Sequence, residues 1–572
     1  MKINSVITFI IVAAFFFIGL EISISPIRTS ITTVSHQAEV LKETISHAPA
    51  IRLNYSYITD NQYKVDILHY DLNIDLYPEE KILKADVVLT GRYLDRHLDQ
   101  IDLNFYDNMK ITSVLFNDVE REYKQKGTTL SISPGVSLSD TFKIKIVYEG
   151  TPKRKGLSAF VFGEINDRSV VYNLNEPDYA STWFPCNDYP SDKALLDIKI
   201  TNNSDKTSIS NGKLMGIKQK GNRKSYHWAT AYPISTYLIS IYSAEYETFS
   251  QKYISLDLKD TMSIDYFVFP GHLENAKKDF DEHPDMMKFF ASTFGEYPFI
   301  KEKYGVAEFL WQYGAMEHQT ITGVGSNFVS GNKYFTDLYV HELAHHWWGN
   351  AVGPATWKDI WLNEGFATYC EALYAEYRQG KEALQSVMVS KFDENFEGRL
   401  YDPGEDLFSN TVYEKGAWVL HMLRGEIGDT IFFNLLRTYF DRYKYSNAST
   451  EDFVKLCEEL SGKDLTKFFD QWVYTGEDII NLSYTWHTEK SNGGYKTIIE
   501  FEQTQKQYET YYFSIDILLI KADKNLLKTF YIDTKSGSIE FISDFNPDEV
   551  VPDPYNKLLA NTYDKNLNEI SD

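Results

Sequence analysis

The pattern of apolar and polar positions changes period along the chain. Over residues 70–76 (Tyr-Asp-Leu-Asn-Ile-Asp-Leu) the two kinds of side chain alternate, which predicts a strand with one buried face. Pro78-Glu79-Glu80 then turns the chain into a second such run at 82–90. Similar short runs at 101–105, 130–132, 142–148, 196–201 and 237–246 have no regular helical pattern between them, so the region predicts a β-rich domain and not βαβ units. After His272 helical spacing takes over: Leu420, Leu423 and Ile427 share one apolar face, and 450–472 reads as one amphipathic helix ending near Thr475-Gly476. Alternating runs return at 497–501, 511–520 and 527–532, with turns at Asn492-Gly493-Gly494 and Lys535-Ser536-Gly537, and predict a small β-sandwich. Pro547, Pro552 and Pro554 make a rigid approach to a short end segment.

At the N-terminus, residues 6–20 form an apolar run behind Lys2, broken by Thr8. The run is shorter than the roughly 17–25 residues of a membrane span and reads as an export signal or an uncleaved anchor, with a buried N-terminal element as the alternative. No cysteine follows it, which argues against a lipoprotein. The expected organisation is a signal or anchor over 1–25, a linker over 26–60, a β domain over 61–253, a mainly helical domain over 254–478 and a C-terminal sandwich over 479–572. The protein is expected outside the cytoplasm, in the periplasm or medium or held at the membrane through 6–20.

Composition narrows the classes of function. Across 572 residues, 57 Lys and Arg face 81 Asp and Glu, for a net charge of -24. Such a surface repels phosphate backbones, and no basic stripe or stacking platform argues for nucleic acid. Cys186, Cys370 and Cys457 are too few and too far apart for a disulfide scaffold and read as buried thiols.

Candidate chemistry lies at His341-Glu342-Leu343-Ala344-His345. On a helix, histidines four apart present both imidazoles to one ion, and Glu342 projects about 100° round from His341, near the open coordination position, as a base for water. With 13 histidines in the chain, the pattern arises by chance in roughly 0.02 of such sequences. A catalytic zinc takes a third protein ligand. Glu364 lies 19 positions after His345, beyond Gly349-Asn350 and Gly353-Pro354, where Asn363-Glu364-Gly365 looks like the start of a second helix. The competing reading of Glu364 is a first-turn glutamate stabilised by the helix dipole.

This run resembles the gluzincin zinc aminopeptidases related to aminopeptidase N and leukotriene A4 hydrolase, whose pattern is His-Glu-x-x-His, 18 residues, then Glu. Gly314-Ala315-Met316-Glu317 is similar to the family's Gly-x-Met-Glu-Asn motif, and Tyr413-Glu414-Lys415-Gly416 to its Tyr-x-Lys-Gly segment. The resemblance implies a multidomain α+β chain: a saddle-like β-rich N-terminal domain, a thermolysin-like mainly helical catalytic domain and a C-terminal β-sandwich.

It also implies one zinc per chain on His341, His345 and Glu364, with Glu342 as general base and Tyr413 as oxyanion donor; spacing alone does not single Tyr413 out among 41 tyrosines. Gly314 and Ala315 would admit an extended peptide, and Glu317 and Glu176 would hold its free amino end; a buried ion-pair role is the alternative for Glu317, and a packed interdomain loop for the segment around Glu176. Asn363 is expected to cap or brace its helix, and His346 and Lys415 to be structural. The chain departs from the family at His318, where Asn is usual, at Leu174 in place of a glutamine, and at the exit turn Gly476-Glu477-Asp478. His318 is expected beside the site, adding charge or altering loop packing. The family's large helical C-terminal domain has no counterpart, so the site is expected to be more open or closed by another subunit; the sequence sets no oligomeric state. The expected reaction is removal of the first residue from peptides with a free amino end. The competing readings are a zinc hydrolase for another substrate, an endopeptidase and an inactive peptide-binding protein.

Overall fold

A computed structural model describes residues 57–568 apart from 96, 136–138 and 157–158. The apolar run at 6–20 and the lead-in to residue 56 lie outside the described residues. Among the described residues no helix is long and apolar enough to cross a membrane.

The N-terminal domain is built on an eight-stranded sheet in the order Lys213–Lys220, Arg223–Ala229, Leu195–Asn203, Val65–Tyr77, Ile82–Tyr93, Thr141–Gly150, Met109–Phe116 and Val119–Glu120. Tyr70, Leu72, Ile74 and Leu76 are buried while their neighbours face outward, as the alternation predicts. The phase flips at a bulge between Ile67 and His69, which is why the pattern becomes regular only from Tyr70. A four-stranded sheet (Thr207–Ile209, Tyr242–Ala244, Arg168–Leu174, Ala159–Ile165) and a three-stranded one (Ile101–Asn104, Thr129–Ile132, Tyr123–Lys126) complete the domain.

The run expected as a strand at 237–246 is a 3-10 turn, Thr236–Leu238, followed by the short strand Tyr242–Ala244. Before that strand, backbone groups over 236–240 bond to buried amide side chains instead of a neighbouring strand. Asn175 donates to Thr236 O and Ile239 O, Asn211 donates to Leu238 O and accepts from Ser240 N, and Asn173 donates to Ile239 O. Residues 57–60, read as linker, are tied into the domain: Tyr57 Oη donates to Asp188 O and Thr59 Oγ1 to Asp102.

The boundary expected at 253/254 falls earlier. Glu247–Ile254 pairs with Thr261–Val268 in the five-stranded sheet of the second domain, which continues through Tyr304–Phe309 and Thr322–Gly325 to the edge strand Ala315–Met316. Helix His283–Phe294 connects Thr261–Val268 to Tyr304–Phe309 within this sheet, and helices Thr336–Ala344, Trp361–Gln379, Gly416–Ile427 and Asp429–Tyr443 follow it. The single helix expected over 450–472 is Thr450–Ser461, stopped by Gly462 in the left-handed region (φ 66), then Thr466–Phe469 and one π-type turn.

The C-terminal domain has two sheets. One holds Ser536–Ser543, Gly494–Gln503, Ile480–Ser491 and Ala560–Asp564; the other holds Lys524–Ile532, Phe513–Lys521 and Glu549–Pro552. Cys186, Cys370 and Cys457 are buried and unpaired, as their spacing suggests.

Candidate active site

His341 sits in the last turns of Thr336–Ala344, and His345 caps that helix at its C-terminus while keeping helical dihedrals. The chain turns back through the short strand Val352–Pro354 and a 3-10 turn at Trp357–Asp359, fixed by a capping box between Thr356 and Asp359. It re-enters a helix at Trp361, which puts Glu364 in the first turn. The result is a tight triangle: His341 Nε2 lies 3.0 Å from His345 Nε2, and each lies 3.3 Å from Glu364 Oε2. Donors at about 2.0–2.1 Å from a tetrahedral centre stand roughly 3.3–3.4 Å apart, so the spacing matches one zinc-sized ion.

The tautomers fit as well. His341 Nδ1–H donates to Glu371 Oε1 (2.9 Å) and His345 Nδ1–H to Trp348 O (3.0 Å), so both Nε2 lone pairs face the centre of the triangle. Burial opposes charge on His341, but Glu364 and Glu371 overcome it and lift its pKa to about 10; His345 is lifted to about 9, against burial, by Glu364 and Glu317. Glu364 is held down at about 2 against burial by the same histidines. The cluster demands positive charge at its centre, and a metal ion meets that demand by displacing protons.

Glu342, one residue round the helix, keeps a buried Oε2 with no hydrogen-bond partner among the described residues. Burial pushes its carboxyl up to about 8; His341 and His345 oppose this, while Glu317 and Glu364 add to it. The Tyr413 ring stacks on His341 at 5.8 Å between centroids and 16° between planes. Tyr413 lies on a π-type turn, Thr411–Lys415, that leads into Gly416–Ile427. That helix crosses Trp361–Gln379 glycine on glycine: a Cβ on Gly365 would stand 2.9 Å from the Gly416 backbone. The contact seats Tyr413 against the helix that carries Glu364. Lys415 points away and donates to Gly476 O (2.7 Å), the structural role expected of it.

On the other side, Ala315 lies on the edge strand of the five-stranded sheet with Gly314 just before it; Gly314 O accepts from Gly325 N and Ala315 pairs with Val324. Glu317 follows directly. One oxygen each of Glu176, Glu317 and Glu364 lie within 4.8 Å of one another, and Glu176 and Glu317 each keep a buried oxygen without a partner. Burial raises both of these carboxyls, Glu176 by the larger amount; each is raised further by Glu364, and Glu317 itself raises Glu176.

Two expectations need amending. His318 adds no charge: it is buried, its Nδ1 bonds Tyr242 Oη at 2.6 Å, and burial holds it down at about 3. Asn363 does not cap its helix, which begins two residues earlier with Ile360 at the cap; it braces the helix by donating to Tyr237 Oη (3.4 Å). His346 is structural, accepting from Thr320 N and donating to Glu342 O.

Glu371 carries a signal in the sequence: it lies seven residues after Glu364, two turns on along the same helix face; Lys391 Nζ holds its other oxygen at 2.6 Å. Asn350 and Lys193 left no such signal. Asn350 Nδ2 donates to Glu317 O (2.7 Å), and Lys193, from the N-terminal domain, donates to Asn350 O (2.8 Å) and Ala351 O (3.2 Å).

Residues 278–472 match the sequence model of the peptidase family M1 domain, and 67–238 that of the peptidase M1 N-terminal domain. Probable aminopeptidase 2 of Sulfurisphaera tokodaii is 26% identical over 403 residues, 66% of this chain and 51% of that protein. The chain spans about half the length of the curated relatives it matches first, 51%, 47% and 53%. An M1 zinc metallopeptidase from Deinococcus radiodurans superposes with a TM-score of 0.64 at 26% identity, covering 72% of this chain and 93% of that one. Aminopeptidase A of Legionella pneumophila, solved with aspartic acid, shares the fold at a TM-score of 0.76 and 18% identity, covering 91% of this chain and 60% of that one. With the two matches in order over the domains that supply Glu176 on one side and the histidine triangle on the other, the chain belongs to peptidase family M1.

Proposed function

We propose that the protein is a zinc-dependent aminopeptidase that hydrolyses the first peptide bond of peptides with a free amino end. A zinc ion on His341, His345 and Glu364, one per chain, supplies Lewis acidity that polarises the scissile carbonyl and acidifies water. Glu342 takes the proton from the attacking water and hands it to the departing amine nitrogen, so its carboxylate is regenerated each turn. The Tyr413 hydroxyl donates to the oxygen that gains negative charge. The edge strand at Gly314 and Ala315 pairs with the extended substrate backbone, and Asn350 fixes the carbonyl of Glu317 behind it.

Two carboxylates carry the assignment to an exopeptidase. Glu176 and Glu317 are buried beside the triangle of His341, His345 and Glu364, and among the described residues each has an oxygen without a hydrogen-bond partner and neither pairs with a lysine or arginine. A substrate ammonium supplies both several donors and the positive charge that they lack; an internal peptide bond offers a single N–H and no charge. Matched peptides with free and acetylated amino ends test this on the zinc-loaded protein. Cleavage of the free series alone is expected, and equal cleavage of both would point to an endopeptidase.

The run at 6–20 belongs to the same proposal as an export signal or anchor, on its apolar length alone. Fractionation of expressing cells tests it: recovery of the full-length chain in the cytosol alone would refute export.

A further inference from the structure

Glu176, Glu317 and Glu364 form a second cluster with metal-binding dimensions, next to the histidine triangle and sharing Glu364 with it. Three atoms mutually within 4.8 Å lie within about 2.8 Å of a common centre, and a small inward adjustment of the side chains reaches the roughly 2.0–2.6 Å of carboxylate bonds to divalent cations. Clustering alone would mean little on so acidic a chain. These three, however, are 7%, 4% and 2% exposed, and two of them keep a buried oxygen without a hydrogen-bond partner. Among the described residues the only basic groups paired with any of them are His341 and His345, both on Glu364. Carboxyls converging in a space this poorly solvated either hold their protons or give them up in exchange for a counter-charge from outside the chain. An all-oxygen donor set suits calcium and manganese as well as zinc, and a carboxylate shared between two ions is the arrangement of metal pairs about 3.5–4 Å apart.

We propose that this corner is a second, weaker divalent-cation site that fills when metal exceeds one equivalent per chain, and that the ion bound there competes with the free amino end of the substrate. The inference rests on the assignment of Glu176 and Glu317 to that amino end. Excess metal then acts as an inhibitor that raises KM for free-amine peptides and leaves kcat unchanged, while the first ion stays in place.

The test is a binding titration of the full chain already carrying one equivalent of zinc, with zinc chloride in one series and manganese chloride in another, beside initial rates in the same buffers. One further ion per chain is expected to bind. Glu176→Gln weakens that second binding by about tenfold or more while the first zinc remains bound. In Glu342→Gln protein, which holds peptide without consuming it, a saturating free-amine peptide weakens it similarly and the acetylated peptide does not. No further ion, or one whose affinity is indifferent to both Glu176→Gln and the free-amine peptide, would overturn the proposal. Equal cleavage of free and acetylated peptides at one equivalent of zinc would remove the amine assignment and the competition with it, a failure distinguishable because it is seen before any excess metal is added.

Discussion

Glu342 and Glu371 stand on either side of His341 and do different work. Glu342 keeps a buried oxygen without a partner among the described residues, free to accept a proton from water, so Glu342→Gln is expected to lower kcat by about 10²–10⁴-fold while one zinc per chain is retained, read by steady-state kinetics beside metal analysis. Glu371 faces away, holding His341 in the tautomer that binds metal, so Glu371→Ala is expected to weaken zinc by about 10–100-fold in competition with a chelator. The pairing of His341, His345 and Glu364 was readable because a helix turns spacing into geometry: four residues make one face, and a turn-rich stretch brings a second helix back. His318 was readable only as a departure. The burial that holds its pKa down and the bond to Tyr242 are both set by residues remote in sequence. The same holds for Asn350, whose amide meets Glu317 across 33 positions.

At the scale of elements, the catalytic region depends on close helix contact. The Gly365–Gly416 crossing leaves no room for a methyl group, so Gly365→Ala forces apart the helices that carry Glu364 and Tyr413. The expected cost is about 1–3 kcal/mol in denaturant unfolding, with a fall in kcat. The adjacent signatures Glu364-Gly365 and Lys415-Gly416 are visible in sequence, but their contact is not. Helix His283–Phe294 supplies a pH test. His283 is buried against Tyr266, Phe280 and Tyr304, and burial holds it down at about 3 against an ordinary 6.5. Below pH 6.5 the unfolded chain takes up a proton that the folded chain refuses, so this side chain's contribution to stability is lost as pH falls through that window, by up to roughly 1.4 kcal/mol per pH unit. The Tm advantage of the wild type over His283→Asn is therefore expected to shrink between about pH 7 and 4; a constant gap would show the imidazole titrating alike in both states. Elsewhere periodicity found most strands but failed at 237–246, because nothing in an alternating pattern reports three buried asparagines waiting to take its backbone bonds.

Over the whole molecule, the site is assembled between domains. The N-terminal domain contributes Glu176 to the pocket and Lys193 to the turn that follows His345, while the metal triangle and Tyr413 come from the catalytic region. Three-domain order was legible from the change in hydrophobic period. The first boundary is hard to read in the sequence because Glu247–Ile254 alternates like the strands before it and differs only in its partner. The account's central claim is that one metal ion within the triangle of His341, His345 and Glu364 makes the protein an enzyme. Stripping the protein of metal and restoring zinc stepwise, with hydrolysis of a free-amine peptide followed at each step, tests it most directly. Activity should climb from near zero in proportion to zinc and stop climbing at one equivalent, with His345→Ala inert throughout. Undiminished activity in the stripped protein, or full response from His345→Ala, would contradict it.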